Sequence, residues 1–445
     1  MVVKHSNVAG RVPDHIHLSV PTQQALTDTA DAIIAETLDT YEGFVASGRQ
    51  LPSDEWKHVK SREKIRVFRA RKRRSSNKVS KQKKKTHSLS QDEKDPSRPR
   101  FMSAGAMEQH QHQAAVQGRP CAYDIPIPEV DISSTATHSS SSNEVDSSSL
   151  FDHSVLANVK PCHIPLMVAT GEINGSLEDV AYGGLANTKH AWLVRNSYVH
   201  NDFFDDRKIL ATFQSPNEED PFRSVTLKWG TVDYGAFTTR RDFLYLESQG
   251  MAFDSDGERV FYYLIHSIEL PECPPLDSSH NVIRVQLSVC YIARQLEELG
   301  VVEMFGRGFV DLRGDMMASY SVMILANNIT SSAGVVECSN MRKLSYLMTL
   351  RRRSDTSGVV SHVSGCCVCH KPLSKLGSLL QSPISCPICR QIMCSKCSVQ
   401  KKLTIEASSE VTQKKSFTFC LSCVIEAKEL AAWEVAAACL RSKGI

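Results

Sequence analysis

The sequence lacks any run of about eighteen consecutive apolar residues, the length that a membrane-spanning helix requires. Its first twenty residues also lack the continuous apolar segment of a secretion signal. We therefore expect a soluble, cytoplasmic protein. Its length of 445 residues predicts two or three domains.

The common catalytic motifs are absent as well. The chain contains no HExxH metal motif, no phosphate-binding loop and no Gly-x-Ser-x-Gly elbow. Gly306-Arg307-Gly308 lies in a strand-like run without the third spaced glycine of a nucleotide-binding fingerprint. We therefore expect that the protein is not an enzyme.

The sequence has only a small excess of positive charge overall, but its basic residues are concentrated in one stretch. The net charge is only +3, yet the residues from Lys57 to Lys85 include fifteen Lys or Arg and one acidic residue. A polar, serine-rich stretch follows, and few apolar side chains are present to offset chain entropy, so residues 71–155 are predicted to be a disordered insertion. The basic run at 69–85 has the composition of a nuclear localisation signal, which leaves nuclear entry open. The run could equally contact anionic lipid or RNA, and a solvated, phosphorylatable loop is the further alternative. For the protein as a whole, we do not expect nucleic acid as a partner.

Cysteine, in contrast, is abundant, with 15 residues, and eight of them form four Cys-x-x-Cys pairs near the end of the sequence. One such turn directs two thiolates at one metal ion, and a structural zinc site needs four ligands. Because only four residues separate the second pair from the third, we predict a cross-brace. One Zn²⁺ would bind Cys366, Cys369, Cys394 and Cys397, and the other would bind Cys386, Cys389, Cys420 and Cys423. A disulfide scaffold is the alternative, which an intracellular location disfavours.

The run CPICRQIMCSKCS, which begins at Cys386, resembles the central CRxCGxxxCxxCS pattern of FYVE zinc fingers. The resemblance covers residues 366–425 and implies two zinc ions and a phosphoinositide-bearing endosomal membrane as a partner. The segment Ser382–Pro387 stands where the family has a basic His-His-Cys-Arg motif, so the headgroup preference stays open. The candidate membrane contacts are Leu379, Leu380, Arg390, Lys401 and Lys402. A RING-type ubiquitin ligase finger is the competing cross-brace.

The rest of the sequence has the patterns of an α+β domain. Apolar residues at helical spacing predict a helix over 22–47, and alternation predicts a strand at Ile65–Arg69. After the insertion, runs rich in Val, Ile, Phe and Tyr predict strands at 163–173, 225–234, 239–248, 259–268, 283–293 and 301–311. A long helix is predicted from about 316 to 351, with a break near 327–332. These elements predict an antiparallel sheet that grips a long helix.

Two segments resemble START lipid-transfer domains. RRDFLYLE (Arg240–Glu247) is similar to their Arg-Asp-Phe strand, and WKHVKSREKIRVFRA is similar to their first strand. Together with the FYVE-like finger, this closely resembles a large family of oomycete proteins. The resemblance implies a START helix-grip fold that encloses a lipid or sterol, with Ser331–Arg351 as its lid. The domains predicted are a flexible N-terminus (1–20), a split START-like domain (21–70 and 156–353), the insertion (71–155), a linker (354–365), the finger (366–425) and a C-terminal helix (426–445).

Alternation along the predicted strand at 239–248 places Arg241, Phe243, Tyr245 and Glu247 on one face. The candidate lipid-cavity residues are Arg241, Tyr245, Glu247, His266 and Arg284. The expected function is that of a lipid-binding adaptor, in which the START-like domain holds an apolar ligand and the finger docks on membrane phosphoinositide or a protein partner. The alternatives are a RING-like ligase and a zinc-binding interaction protein whose START-like core is filled.

Overall fold

The computed structural model describes residues 8–71, 155–199, 204–235, 238–276, 281–354, 365–373, 384–406 and 412–442. Most of the predicted insertion, residues 72–154, lies outside these ranges. Among the residues described, none of the helices combines the length and apolar character needed to cross a bilayer.

Within these ranges the chain forms eight α-helices, twelve strands and three short 3-10 helices. The helices are α1 (Val20–Ala46), α2 (Val155–Val159), α3 (Leu177–Gly184), α4 (Lys189–Val199), α5 (Ala318–Thr330), α6 (Gly334–Ser354), α7 (Leu421–Glu429) and α8 (Ala432–Arg441). The strands are β1 (Trp56–Arg62), β2 (Ile65–Ala70), β3 (Met167–Asn174), β4 (Asp206–Gln214), β5 (Ser224–Val232), β6 (Arg240–Phe253), β7 (Arg259–Ser267), β8 (Val282–Arg284), β9 (Gln286–Leu296), β10 (Val301–Asp311), β11 (Ser398–Glu406) and β12 (Thr412–Cys420). The 3-10 helices are Ala9–Arg11, Glu297–Leu299 and Ser395–Cys397.

One large sheet organises the fold. Its strand order is β1-β2-β3-β10-β9-β7-β6-β5-β4, with antiparallel neighbours throughout, and the short β8 pairs in parallel with β6. Arg66 of β2 lies opposite Thr170 of β3, so the segments before and after the insertion join in one sheet. A small hairpin of β11 and β12 forms a second sheet. The predicted α+β class, an antiparallel sheet packed with helices, is confirmed.

Helix α1 covers one face of the large sheet. Ser19 caps it by accepting a hydrogen bond from the Thr22 amide at 3.2 Å, which suits an N-cap serine. Pro21 therefore lies in the first turn, where a proline needs no amide donor, instead of preceding the helix as the sequence predicted. Ile33 and Ile34 are fully buried in the core on this side of the sheet.

The opposite face of the sheet packs against α4 and α5. The predicted long helix is split into α5 and α6, with the break at residues 331–333. Gly334 begins α6 in close contact with the end of α4, because a Cβ atom there would lie 2.4 Å from the carbonyl oxygen of Tyr198. Helices α4 and α6 are thereby fixed against each other beside the sheet.

Candidate functional site: an internal cavity and two cysteine groups

A cavity of about 160 Å³ lies between the sheet and helices α3 to α6. Its walls are mainly apolar and include Phe243, Val289, Met304, Leu325 and Val335. All four helices contribute to the lining, α5 with its end and α6 with its start, whereas the predicted lid extended over the whole of Ser331–Arg351. An apolar cavity of about 150 Å³ in another protein stays dry and binds benzene, so this one has room for a small apolar group.

The structure places two of the predicted cavity residues at the site. Tyr245 lines the cavity on β6. Glu247 lies behind the wall and is bonded to Arg195 and Tyr263, which both line it. Alternation along β6 therefore grouped Phe243, Tyr245 and Glu247 on the side of the sheet that faces the cavity.

The other three predicted cavity residues lie elsewhere, and these predictions are corrected. Arg241 is fully buried, but its guanidinium donates to the carbonyl oxygens of Leu312 and Arg313 at 2.9 Å, so it ties down the loop after β10. Arg284 pairs with Asp242 at 2.8 Å, because β8 runs beside the start of β6.

His266 also points away from the cavity. It lies opposite Leu246, whose side chain belongs to the core beneath α1. Its Nδ1 atom lies 2.9 Å from the Ser288 hydroxyl, and burial lowers the pKa of His266 to about 4. The imidazole is therefore neutral at pH 7 and has a packing role.

A buried cluster of charges borders the cavity, formed by Arg195 of α4, Lys228 of β5 and Glu247 of β6. The Arg195 Nη2 and Lys228 Nζ atoms lie 3.0 and 2.5 Å from the Glu247 oxygens. The Tyr263 hydroxyl donates to the same carboxylate at 3.0 Å, and Lys228 also lies 4.9 Å above the Trp192 ring centroid. Two cations thus share one carboxylate, which leaves one positive charge in excess.

Burial and the attraction between opposite charges shift the pKa values of this cluster in opposite directions. Burial by itself would raise the pKa of Glu247, but the attraction of Arg195 and Lys228 outweighs it and lowers that pKa to about 2. Burial lowers the pKa of Lys228 to about 8 in spite of the attraction of Glu247. Glu247 is therefore ionised at pH 7, and Lys228 is mostly protonated.

Sequence reasoning missed the polar residues of α4. Asn196 is fully buried and lines the cavity, and neither its Oδ1 nor its Nδ2 atom has a hydrogen-bond partner among the described residues. The Nε atom of Arg195, another lining residue, also lacks a partner within the described ranges. The only signal for the cluster was Lys228, a single charged residue inside the apolar run of β5.

The eight predicted metal ligands form two groups with the predicted cross-brace pairing. Within each group the sulfur atoms lie within 4.8 Å of one another. Cys369 and Cys394 have sulfurs 3.9 Å apart, and those of Cys389 and Cys420 are 3.8 Å apart. A tetrahedral site with bonds of about 2.3 Å places its sulfurs about 3.8 Å apart, whereas a disulfide joins them at about 2.05 Å. Each group can therefore hold one metal ion.

The first and second Cys-x-x-Cys turns have the same backbone geometry. The His370 amide donates to the Cys366 carbonyl at 2.9 Å, and the Arg390 amide donates to the Cys386 carbonyl at 2.8 Å. His370 and Arg390 have φ angles of 58° and 59°, in the left-handed region that favours glycine. Arg390 thus occupies the position at which the FYVE pattern has glycine, and it is exposed.

The other predicted membrane contacts have different environments. Lys401 pairs with Glu337 of α6 at 3.1 Å, so it faces the helix. Lys402 is exposed. Leu379 and Leu380 lie outside the described residues.

The β11–β12 hairpin contacts the helix that lines the cavity. The Ser197 hydroxyl lies 2.6 Å from the Thr404 hydroxyl, and the Tyr198 hydroxyl donates to the Lys402 carbonyl at 3.1 Å. Because Arg195 and Asn196 immediately precede these residues, one turn of α4 contacts the cavity and the finger. Lys343 of α6 adds a second connection by donating to the carbonyl oxygens of Lys428 and Leu430.

No family model and no curated protein matches this sequence. Among solved structures, human STARD10 matches at 7% identity over 66% of this chain and 76% of its own, with a TM-score of 0.33. Human StAR-related lipid transfer protein 5 matches at 11% identity over 69% of this chain and 97% of its own, again with a TM-score of 0.33. The STAR-related lipid transfer protein from Xanthomonas axonopodis matches at 7% identity over 64% of this chain and 98% of its own, with a TM-score of 0.33.

Proposed function

We propose that this protein is a non-enzymatic lipid-binding adaptor. The START-like part holds a lipid or another apolar ligand in its cavity, and a FYVE-like finger with two Zn²⁺ ions docks on a membrane or on a protein partner. The observation that carries the proposal is the cavity of about 160 Å³ with mainly apolar walls between the sheet and the helices. Closely packed interiors contain few voids larger than a water molecule, so a void of this size favours a ligand over a filled core.

The volume of the cavity limits the size of the ligand and the free energy that its burial contributes. Burial of each methylene contributes about 0.8 kcal/mol, so six carbons contribute about 5 kcal/mol before ordering costs are subtracted. A full lipid chain exceeds the volume of about 160 Å³ and therefore requires outward movement of a wall. The turn between α5 and α6 is the segment we expect to move, because it joins two helices that both contribute to the lining.

A substitution that fills the cavity tests the proposal. Ala293 is buried on β9 and lines the cavity, so Ala293→Phe is expected to occupy the ligand's space and abolish lipid co-purification. Native mass spectrometry of the full chain would measure the bound lipid. The matched control is Ala211→Phe on β4, which is half-buried and outside the cavity and should keep the ligand. If wild-type protein from several hosts carries no lipid, a filled-core interaction protein is the better account.

Zinc is the metal that suits the finger. Two sets of four thiolates are soft, closed ligand sets of the kind that structural zinc occupies. Bound zinc would supply cross-links between the two turns, the hairpin and α7. With every position taken by cysteine, the sites would leave no position for a catalytic water.

The docking surface of the finger is tested by vesicle flotation. Several cations, such as Arg390 and Lys402, are exposed on the described part of the finger, but the segment 382–387 stands where the FYVE pattern has its basic His-His-Cys-Arg motif. A phosphate clamp needs several donors that converge on one group, and that motif would supply them. We therefore expect flotation with vesicles that contain anionic lipid, without preference for phosphatidylinositol 3-phosphate over phosphatidylinositol 4-phosphate. The double variant Arg390→Ala with Lys402→Ala should weaken it. A strong preference for the 3-phosphate would contradict this expectation, and no flotation would favour a protein partner.

A further inference from the structure

Two consecutive residues of α4 bring unpaired hydrogen-bonding atoms to the cavity. Asn196 is 0% exposed, and within the part of the chain that the structure describes its side-chain amide has no partner at either atom. The Nε–H group of Arg195 also lacks an acceptor in this described part, although the same guanidinium bonds to Glu247 and to the Gly184 carbonyl. A buried polar group without a partner costs free energy, so a ligand that completes these bonds gains affinity.

The unpaired atoms favour a ligand group that accepts hydrogen bonds. The Arg195 Nε–H group and the Asn196 NH₂ group are donors, and the Asn196 carbonyl is the one acceptor. The adjacent cluster has the same preference, because Glu247 supplies the one carboxylate that pairs with Arg195 and Lys228 among the described residues. An anion placed here would balance the excess positive charge.

We propose that the ligand is an amphiphile with a single carboxylate, whose oxygens accept hydrogen bonds from Arg195 Nε and Asn196 Nδ2. Its apolar body would lie against Phe243, Leu325 and their neighbours in the lining. A carboxylate offers two oxygens in one small, planar group, which suits a cavity of about 160 Å³. The inference rests on the lipid-binding function proposed above and specifies the headgroup of the ligand.

Three probes of equal chain length test the headgroup. Decanoate, decanol and methyl decanoate are titrated into the metal-loaded full chain at pH 7, and affinity is measured by calorimetry. Decanoate should bind at least tenfold more tightly than the other two, because hydrogen bonds to charged groups are the stronger class. Asn196→Leu should reduce this preference severalfold while decanol binding is retained or improved. Asn327→Leu, on the exposed side of α5 and outside the cavity lining, is the matched control and should leave the preference intact.

The outcomes separate this inference from the proposed function. Equal affinity for the three probes, tighter binding of decanol, or an unchanged preference in Asn196→Leu would each overturn the carboxylate assignment and leave lipid binding in place. Failure of all three probes to bind would overturn both. If Asn196→Leu does not fold, Asn196→Asp replaces it, since an added negative charge should weaken decanoate binding at least tenfold and spare decanol.

Discussion

Replacing Cys394 and Cys397 together with serine is expected to remove metal from the chain and to unfold the finger. Both residues belong to the group completed by Cys366 and Cys369, so the variant removes two of its four ligands. Structural zinc contributes about 10–16 kcal/mol to small domains of this kind, far more than their packing supplies. Metal analysis should show a fall from two ions per chain to one or none.

The same variant should also destabilise the part of the fold that contains the large sheet and the cavity. The hairpin of the finger bonds to Ser197 and Tyr198 at the end of α4, and Lys343 of α6 bonds to Lys428 in α7 and to Leu430 just after it. Unfolding of the finger removes these contacts from two helices that line the cavity. We expect the melting temperature of the remaining fold to fall by several degrees and amide exchange in α4 to become faster.

A double variant at two other cysteines provides the control. Cys162 is exposed, and Cys367 lies beside Cys366 in the finger without belonging to either group. Cys162→Ser with Cys367→Ser should retain two ions and the wild-type melting temperature. Unchanged metal content in Cys394→Ser with Cys397→Ser would contradict the ligand assignment. Metal loss without faster exchange in α4 would show that the finger and the cavity are independent.

The features that follow local rules were predictable from the sequence. The spacing of the Cys-x-x-Cys pairs gave the cross-brace grouping, because each pair is a single turn and the two middle pairs are too close for sequential sites. Strand β10 matches its predicted bounds of Val301–Asp311, since the apolar run begins directly after Gly300. The turn at Asp254–Gly257 joins β6 to β7, with Gly257 at a φ of 81°, and Asp-Ser-Asp-Gly is a sequence typical of hairpin turns.

The features that depend on distant partners were not predictable. Helix α4 buries Arg195, Asn196 and Ser197, so its pattern of apolar and polar residues does not show which side faces the core. Alternation correctly grouped Glu247 with Tyr245, but the charges that surround Glu247 come from α4 and β5. Arg241 shares the face of Tyr245 by alternation, yet the loop after β10 supplies acceptors that direct its side chain elsewhere.

Replacing Glu247 with leucine is expected to have the largest effect of any single change beside the cavity. The substitution would leave Arg195 and Lys228 as buried cations without a counter-charge. Removal of one partner from a buried ion pair costs about 3–5 kcal/mol, a large fraction of the stability of a typical domain. Chemical denaturation of the full chain would measure the loss, or the variant would fail to fold.

Lys228→Met is the informative comparison, because it removes the excess cation and keeps the pair between Arg195 and Glu247. It should cost far less stability than Glu247→Leu. A triple variant that combines Arg195→Met, Lys228→Met and Glu247→Leu should recover most of the stability that Glu247→Leu loses.

The stability that Glu247 contributes depends on pH in a definite direction. The pKa of Glu247 is lowered from 4.5 to about 2, so the stability it contributes is complete above about pH 4.5 and is lost as the pH falls toward 2. Between pH 4.5 and 2, the free energy of unfolding should therefore fall more steeply with decreasing pH in the wild type than in the triple variant. Equal pH dependence in the two proteins would show that Arg195 and Lys228 do not stabilise the ionised form of Glu247. The charge argument for a ligand with a carboxylate would then fail as well.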